Sequence, residues 1–457
     1  MDFSRTIRLK VRKMEKIMEK LMQGVEKHKK LILDAERYIW ANPETGYKEY
    51  KTSKYMEDRF IELGYDIVKA ENITGFYTVL DTGRSGPTVL IFAELDSIIC
   101  PGHPECDKET GAVHSCGHNA QCAGLLGIAA ALKEEGALEG LSGRIKLCAV
   151  PAEELLEIGY RRELQQKGII KYMGGKTEFL HRGYLDDVDI VYMIHTGTEN
   201  NVHDGANGCI AKNIIYKGVA AHAGGNPWNG RNALYAATCG INAANAVRET
   251  FHDTDLIRFH PIITKGGDMV NAIPETVQME SYVRGKSYDA MLSANKKVNQ
   301  ALIGAAYSID TNVEIIDIPG YAPLENSSDM RDLYLEGFKL ALPNEEVFYR
   351  PFFTTGSTDM GDMSQIFPTV HPHMSGAAGK GHGNNYQIVD PVNACVNSAK
   401  VQLAMLWLLL KDEAKRAKEI IKNFKPNFTK QGYLDYVDKI NVSGDRIIYK
   451  ENGAEII

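Results

Sequence analysis

Three short, almost unbroken apolar runs constrain the fold more than any other feature of this sequence. They span 88–93, 144–150 and 189–194, and the helical patterns 52–63 and 121–133 fall around and between them. A strand that is apolar along its whole length is typical of a sheet buried on both faces, and strands that alternate with helices are typical of a parallel sheet. The sequence therefore predicts an α/β fold with a mostly parallel sheet.

The pattern changes near residue 207. From there we expect strand 209–218, helix 232–249, strand 258–264, strand 276–283, helix 288–307 and strand 312–318. This order is that of a ferredoxin-like α+β domain. We therefore predict an inserted domain, 207–319, within a discontinuous larger domain made of 1–206 and 320–457. An N-terminal helix is expected over 8–40, and no element is assigned after Pro426.

Composition and charge exclude several classes of protein. The 457 residues carry a formal net charge of -7 at pH 7, so no basic excess is available for a general nucleic-acid binder. There is no run of about 18 apolar residues, which a membrane helix needs, and the first 30 residues lack the apolar core of a signal peptide. We expect a cytoplasmic protein whose eight cysteines are reduced thiols rather than a disulfide scaffold.

The segment His114-Ser-Cys116-Gly-His118-Asn119 is the richest in chemistry. A thiolate and an imidazole two residues apart can both reach one borderline-soft ion, and Gly117 lets the backbone turn tightly between them. The start of the following helix also favours the thiolate form of Cys116. A buried cysteine beside a core histidine is the alternative, and this motif alone does not decide between the two.

The ends of the buried strands carry more side chains of ligand type. Glu94 and Asp96 follow the first run, Glu153 and Glu154 the second, and His195 the third. Adjacent buried carboxylates are costly unless a cation or a proton compensates them, and on an extended segment they point to opposite sides. One can then bind metal while the other acts as a general base. A solvated loop end or a structural histidine is the alternative for each position taken singly.

Two further regions contain candidates. His382 lies in a loop too rich in glycine for core packing, while His371 and His373 are lower-ranked alternative ligands because nothing around them is of ligand type. In the inserted domain, His222 lies in a turn between a strand and a helix.

Asn271 and Arg284 flank the following strand of that domain. A histidine and an arginine are suited to polarising a carbonyl or holding a carboxylate. A surface strand residue is the alternative for Arg284.

Together these motifs resemble the M20 metallopeptidase and amidohydrolase family, in particular its branch with aminoacylases, hippurate and auxin-conjugate hydrolases and aminobenzoyl-glutamate hydrolases. The matching segments occur in the family's order: Asn42-Pro43-Glu44-Thr45-Gly46, Ala93-Glu94-Leu95-Asp96, His114-Ser115-Cys116-Gly117-His118-Asn119, Pro151-Ala152-Glu153-Glu154, Ala221-His222-Ala223, Asn271-Ala272-Ile273-Pro274, Gly356-Ser357-Thr358-Asp359-Met360-Gly361-Asp362 and Gly381-His382.

The resemblance implies a metal centre and a homodimer formed through the inserted domain. One or two divalent ions (Zn²⁺, Mn²⁺ or Co²⁺) would be held by Cys116, His118, Glu154, His195 and His382.

It also implies the remaining roles. Glu153 would be the general base that takes a proton from metal-activated water and passes it to the leaving amine. His222 would stabilise the oxyanion in the partner subunit's site. Asn271 and Arg284 would contact the substrate, and Asp96 would support the site.

The predicted function is hydrolysis of the amide bond of a small N-acyl or aroyl amino acid or dipeptide. One alternative is a non-catalytic protein that binds metal or a small ligand, and another is a redox or nucleophilic Cys116 paired with His118. The sequence departs from many members at Asn119 and Gln121, where they have Asp and His, and the stretch 155–171 looks like an insertion beside the cleft.

Overall fold

A computed structural model describes residues 16–451 and 453–457, which form two compact units. The first comprises the chain up to Asp204 with Glu325–Phe352 and Asp362–Asn427, and the second comprises Gly205–Leu324, Phe353–Gly361 and Phe428–Ile457. The second unit thus contains the expected insertion 207–319. It also takes in Phe353–Gly361 and the last 30 residues, which the sequence assigned to the larger domain.

The chain contains helices and strands in the following order. The helices are α1 over 16–27, α2 Lys29–Trp40, α3 Tyr50–Glu62, α4 His118–Leu132, α5 Ile158–Gln166, α6 Gly175–His181, α7 Ala233–Val247, α8 Tyr288–Ser308, α9 Ser328–Ala341, α10 Met360–Ser364, α11 Ser398–Asn423 and α12 Lys430–Ile440. The strands are β1 Val68–Lys69, β2 Phe76–Asp81, β3 Thr88–Glu94, β4 Ile98–Ile99, β5 Ala112–Val113, β6 Arg144–Val150, β7 Ile190–Tyr192, β8 His195–Gly197, β9 Asn201–Ala206, β10 Gly208–Lys217, β11 Arg258–Phe259, β12 Ile262–Lys265, β13 Thr276–Gly285, β14 Asn312–Tyr321, β15 Leu324–Glu325, β16 Phe348–Thr354, β17 Thr369–Val370, β18 His373–Ser375, β19 Ala377–Ala378, β20 Gln387–Ile388, β21 Ile447–Lys450 and β22 Gly453–Ile456.

The first unit is built on a six-stranded sheet in the order β1-β2-β6-β3-β7-β17. The four strands from β6 to β17 are parallel, and β2 pairs antiparallel with β6. Every residue of β3 is buried, as its unbroken apolar run predicts. The expected mostly parallel α/β sheet is therefore confirmed.

Helix α4 is buried on all sides, from His118 to Leu132. Such a helix is apolar or small around its whole circumference, which its Ala-rich sequence satisfies. It packs against β3 and against α2 and α11, so the residues at its start are held rigidly.

The N-terminal helix expected over 8–40 is two helices. Residues 16–27 and 29–40 are helical, with a break at His28, and residues 8–15 lie outside the described part of the chain. Helix α11 is interrupted by non-helical backbone over 411–414. Among the described helices, none is long and apolar enough to cross a membrane.

The second unit has an antiparallel sheet in the order β11-β13-β10-β14, with β12 also paired to β13. Helices α7 and α8 pack on each other and on this sheet, giving the ferredoxin-like order that was predicted. The strand expected over 258–264 is divided into β11 and β12. Pro261 lies between them and has no N–H to donate to a neighbouring strand.

The C-terminal stretch, unassigned from sequence, lies along the edge strand β14. The Asp317 N–H donates to the carbonyl oxygen of Val442 at 2.8 Å, and the Arg446 N–H donates to that of Val313 at 2.9 Å. Ile447 is buried in the core of this unit. The segment therefore covers backbone groups that an edge strand otherwise leaves exposed.

Candidate metal centre

The candidate ligands of the first unit follow the carboxyl ends of neighbouring parallel strands. Glu94 is the last residue of β3, Glu153 and Glu154 follow β6, and His195 begins β8 directly after β7. His118 is the first residue of α4, where Gly117 adopts a left-handed φ of 84°. A Cβ at Gly117 would lie 2.9 Å from the Cβ of Thr196, so this turn requires glycine.

Two groups of potential ligands share the sulfur of Cys116. The first group is Cys116, His118 and His195, and the second is Cys116, Glu154 and His382, with the ligand atoms of each group within 4.8 Å of one another. The Sγ of Cys116 lies 3.5 Å from Nε2 of His195, and Nε2 of His382 lies 2.9 Å from Oε1 of Glu154. The structure therefore brings all five expected ligands together around one thiol.

Asp96 connects two of these ligands. The Nδ1–H of His118 donates to the backbone oxygen of Asp96 at 2.9 Å, which directs Nε2 towards the other ligands. Oδ2 of the Asp96 carboxylate accepts the N–H of Glu154 at 2.8 Å. The residue expected to support the site thus fixes the ring of one ligand and the backbone of another.

The donor set fits a divalent cation. Nε2 of His118 is buried and makes no hydrogen bond within residues 16–451 and 453–457, although it lies 3.1 Å from a carboxylate oxygen of Glu94. A buried polar atom without a hydrogen bond is costly, and a cation is one partner that would satisfy it. Thiolate, imidazole and carboxylate ligands together are those of Zn²⁺ and of related first-row metals.

The charges in the cluster favour the ligating form of the thiol. Burial and the charge of Glu154 oppose ionisation of Cys116, but His118 and His195 outweigh them and lower its pKa to about 6. Burial also opposes ionisation of Glu154, and the hydrogen bond and charge of His382 bring its pKa down to about 2. The thiolate and the carboxylate are therefore both available near neutral pH.

The two adjacent glutamates are not on an extended segment, contrary to expectation. Ala152 before them is left-handed, with φ of 57°. Glu154 faces Cys116 and His382, whereas Glu153 belongs to a third group with Glu94 and His118 and lies 3.8 Å from Nε2 of His118. The two carboxylates therefore face different sides of the cluster.

Sequence reasoning missed Lys176. Its ammonium lies 2.5 Å from Oε1 of Glu94, and both side chains are fully buried. Gln121 donates from Nε2 to Oε2 of the same carboxylate at 3.0 Å. Glu94 is therefore compensated by a lysine and an amide, and Lys176 and His118 overcome its burial and hold its pKa below the ordinary value. A lysine directly after Gly174 and Gly175, at a helix start, carries no signal for such an ion pair.

The two residues that depart from the family pattern, Asn119 and Gln121, both form buried hydrogen bonds. Asn119 donates from Nδ2 to Oε1 of Glu36 at 2.8 Å, and both side chains are buried. Gln121 is held by its hydrogen bond to Glu94. Both amides therefore donate to buried carboxylates of the first unit.

The two lower-ranked histidines, His371 and His373, lie outside the three groups of potential metal ligands among the described residues. The ring of His371 lies 5.6 Å from that of His195, and its Nδ1 lies 3.2 Å from the carbonyl oxygen of Met193. Burial lowers the pKa of His371 to about 3, so the ring is neutral. The ring of His373 also lies 5.6 Å from that of His195.

The second unit contains the other predicted residues. His222 is exposed, and its Nδ1 accepts the N–H groups of Gly224 at 3.1 Å and Gly225 at 2.9 Å. The ring proton of a neutral His222 is therefore on Nε2. The backbone oxygen of Asn271 accepts the N–H of Ala223 at 2.9 Å, which brings Asn271 next to the histidine turn.

Arg284 lies on β13 of the same unit and is half-buried. Its Nη1 lies 3.3 Å from Oγ of Ser357, and its guanidinium lies 5.6 Å from the ring centroid of Tyr282. Its Nε is buried and makes no hydrogen bond within the described residues.

Comparison with known proteins identifies relatives along much of the chain. A sequence profile of Peptidase family M20/M25/M40 matches residues 93–407. The chain is 31% identical to the Xaa-Arg dipeptidase of Homo sapiens over 280 residues, which are 59% of this chain and 58% of that protein. It is 28% identical to the indole-3-acetyl-aspartic acid hydrolase of Enterobacter agglomerans in an alignment 329 residues long, which covers 60% of this chain and 70% of that protein.

A third relative is the N-acetyl-L-cysteine deacetylase of Bacillus subtilis (strain 168), with 26% identity in an alignment 310 residues long, which covers 62% of this chain and 67% of that protein. The chain thus spans between 58% and 70% of the length of these three relatives.

Solved structures show the same fold. A dinuclear metal binding peptidase from the M20 family of Bacillus subtilis has a TM-score of 0.63 at 18% identity, covering 85% of this chain and 99% of that one. The aminobenzoyl-glutamate utilization protein from Klebsiella pneumoniae has a TM-score of 0.62 at 21% identity, covering 84% of this chain and 98% of that one.

The structural similarities establish the fold, and the profile covers well over half of the 457 residues. The resemblance inferred from the motifs is therefore confirmed, and with it the prediction of a hydrolase at the level of the family. This chain belongs to Peptidase family M20/M25/M40.

Proposed function

We propose that this chain is a metal-dependent hydrolase that cleaves the amide bond of a small N-acyl or aroyl amino acid or of a dipeptide. The observation that carries the proposal is the position of Cys116, whose sulfur belongs to both groups of potential ligands. Glu153 lies in a third group that shares His118 with the first. The names of the three relatives support the substrate class, since each name refers to an amino acid, either as a residue of a dipeptide or as part of an acyl conjugate.

Cys116, His118 and His195 would hold one ion, and Cys116, Glu154 and His382 a second. When bound, a divalent cation supplies a Lewis acid for water and for the scissile carbonyl. The thiolate favours Zn²⁺, while Mn²⁺ and Co²⁺ accept the same donors.

Glu153 would be the general base. It would accept a proton from the attacking water and later donate that proton to the leaving amine. Its carboxylate is buried, with 8% of the side chain exposed, so bulk water does not compete strongly for its proton. In the second unit, the Nε2–H of His222 would donate to the developing oxyanion, and Asn271 and Arg284 would contact the substrate.

We further propose that the protein is a homodimer in which His222 serves the partner subunit's site. Large apolar side chains are exposed close to His222 in sequence and close to Asn271, which is hydrogen-bonded to the histidine turn. Trp228 is 77% exposed, Met269 is 62% exposed and Val270 is fully exposed. Exposed apolar groups of this kind are typical of interaction surfaces. A cytoplasmic location is consistent with the eight cysteines, all of which are free thiols in the structure.

The test is a screen of N-acyl amino acids and dipeptides with added Mn²⁺, Zn²⁺ or Co²⁺, on wild type and two matched variants. Glu153→Gln is expected to abolish turnover and to keep its metal, whereas Glu154→Gln is expected to lose metal as well as activity. An active Glu153→Gln variant with wild-type metal content would remove Glu153 as the base. Absence of turnover in wild type with bound metal would favour a binding protein.

A nucleophilic cysteine is the second candidate, because Cys116 lies 3.5 Å from Nε2 of His195, within the range of a thiol–imidazole pair. That hypothesis predicts activity that survives EDTA and is lost in Cys116→Ser. The metal hypothesis predicts that EDTA abolishes wild-type activity and that added metal restores it.

A further inference from the structure

A buried arginine follows the two glutamates. The stretch 155–171 contains helix α5, and Arg161 on this helix is only 1% exposed. A guanidinium is costly to bury unless its donors are satisfied. Its contacts therefore indicate what this stretch of chain does.

The guanidinium donates to backbone oxygens on both sides of the stretch. Nη1 donates to the carbonyl oxygen of Met173 at 2.8 Å, and Nη2 donates to that of Glu154. A Cβ at Gly46 would clash with Nη2 and would lie 2.9 Å from Ala152, so the absence of a side chain at Gly46 makes room for both. Arg161 thus closes the loop that begins at the proposed metal ligand Glu154.

A second contact fastens the start of the helix. Oε2 of Glu157 accepts the hydroxyl proton of Thr45 at 2.5 Å, and Oε1 lies 2.6 Å from Nζ of Lys48. Glu157 itself is left-handed, with φ of 50°. The stretch is therefore held against residues 45–48 before the chain reaches Arg161.

The loop that carries the glutamates needs external support. Ala152 is left-handed, a backbone conformation that is unfavourable for a residue with a Cβ atom. Its N–H donates to Glu49 at 2.8 Å, and its carbonyl oxygen accepts the N–H of Gly175 at 3.2 Å. These contacts hold the loop before Glu154, and Arg161 holds it after.

We propose that Arg161 is a positioning residue for Glu153 and Glu154, and that the stretch 155–171 is a clamp on the loop that carries them. From sequence, this stretch is expected only to alter the wall of the cleft. The clamp rests on the proposed function only for its effect on turnover, because its effect on the loop is independent of catalysis.

The test compares Arg161→Met with Arg162→Met in the full chain. Methionine keeps much of the length and packing of the side chain and removes its donors. Arg162, the half-buried neighbour on the same helix, is the matched control. Arg161→Met is expected to speed amide hydrogen exchange over residues 152–157 of the metal-free protein by about tenfold or more, without a comparable change in β3. It is also expected to weaken Mn²⁺ binding in calorimetric titration by about tenfold or more.

Arg161→Lys retains a donor and is expected to recover part of both effects. In an active enzyme, Arg161→Met should lower kcat with little change in KM. Equal exchange and equal Mn²⁺ affinity in the two methionine variants would overturn the proposal. The exchange and titration results stand even if wild type hydrolyses no substrate, so a wrong function and a wrong clamp are distinguishable.

Gly46→Ala is a second variant in case Arg161→Met does not fold. The added methyl group would displace the guanidinium, so the same exchange signature is expected with Arg161 present. Combined with Arg161→Met, its effect should be less than additive, because the methyl group no longer meets Nη2. Strict additivity would contradict the contact on which the clamp depends.

Discussion

Glu49 provides a pH-dependent test of the packing behind the glutamate loop. Its carboxyl group is fully buried, accepts the N–H of Ala152 at 2.8 Å and accepts the hydroxyl proton of Thr74 at 2.5 Å. Burial, with the charge of Asp96 second, raises the pKa of Glu49 from 4.5 to about 8. The folded protein therefore keeps a proton that the unfolded chain releases near pH 4.5.

The sign and size of the effect follow from this difference. The contribution of Glu49 to stability is fully present below pH 4.5 and is lost as pH rises towards 8, since the folded state then binds more protons than the unfolded chain. Each pH unit in this window costs about 1.4 kcal/mol, so between pH 5.5 and pH 8 the loss is about 3 kcal/mol. For a unit of this size, that corresponds to a fall in Tm of about 5 °C.

Glu49→Gln isolates the effect. Glutamine keeps an acceptor for the N–H of Ala152 and cannot ionise. We expect the Tm of metal-free wild type, measured by calorimetry, to fall relative to that of Glu49→Gln by about 5 °C between pH 5.5 and pH 8. Infrared difference spectra of the two proteins at pH 6 should contain the carbonyl stretch of a protonated carboxyl group. Parallel Tm curves, or a carboxylate signal at pH 6, would show that Glu49 is not held protonated by the fold.

Two other buried contacts give predictions. Lys176→Met leaves Glu94 without its cation, and breaking such a buried ion pair costs about 3 to 5 kcal/mol of stability. Thermal unfolding should therefore show a large fall in Tm, which Glu94→Gln in the same chain partly restores. An unchanged Tm would contradict the pairing. Asn119→Asp places a second carboxylate 2.8 Å from that of Glu36, so it should lower Tm. Glu36→Gln in the same chain should recover most of this loss. An Asn119→Asp variant as stable as wild type would show that the amide is not needed there.

The features that sequence predicted are those with a local signal. Strands β3 and β6 could be predicted because their apolar runs leave no face of the strand for solvent. The candidate ligands after them could be predicted because polar residues stand at the strand ends. The start of α4 was also local, because Gly117 and the small residues after it specify a tight turn into a buried helix. The residues of ligand type could therefore be selected from the sequence, whereas their assignment to one ligand set followed from the resemblance to the M20 family.

The features that sequence did not predict depend on distant partners. Lys176 and Glu94 are 82 positions apart, and nothing near either residue indicates that they pair. The left-handed φ of Ala152 is supported by Glu49, 103 positions away, whereas alanine itself gives no sign of such a turn. Asp317 on β14 pairs with Val442, which lies far along the chain, so no local pattern indicates this contact.

Anomalous diffraction from crystals soaked in Mn²⁺ would locate bound ions without reference to activity, and so tests the proposed metal centre itself. We predict peaks on either side of the Sγ of Cys116, one facing Nε2 of His118 and of His195 and the other facing Glu154 and Nε2 of His382. The same crystals of Cys116→Ala should lose or weaken both peaks. Ordered Mn²⁺ elsewhere, with no peak beside Cys116, would contradict a metal centre built around this thiol.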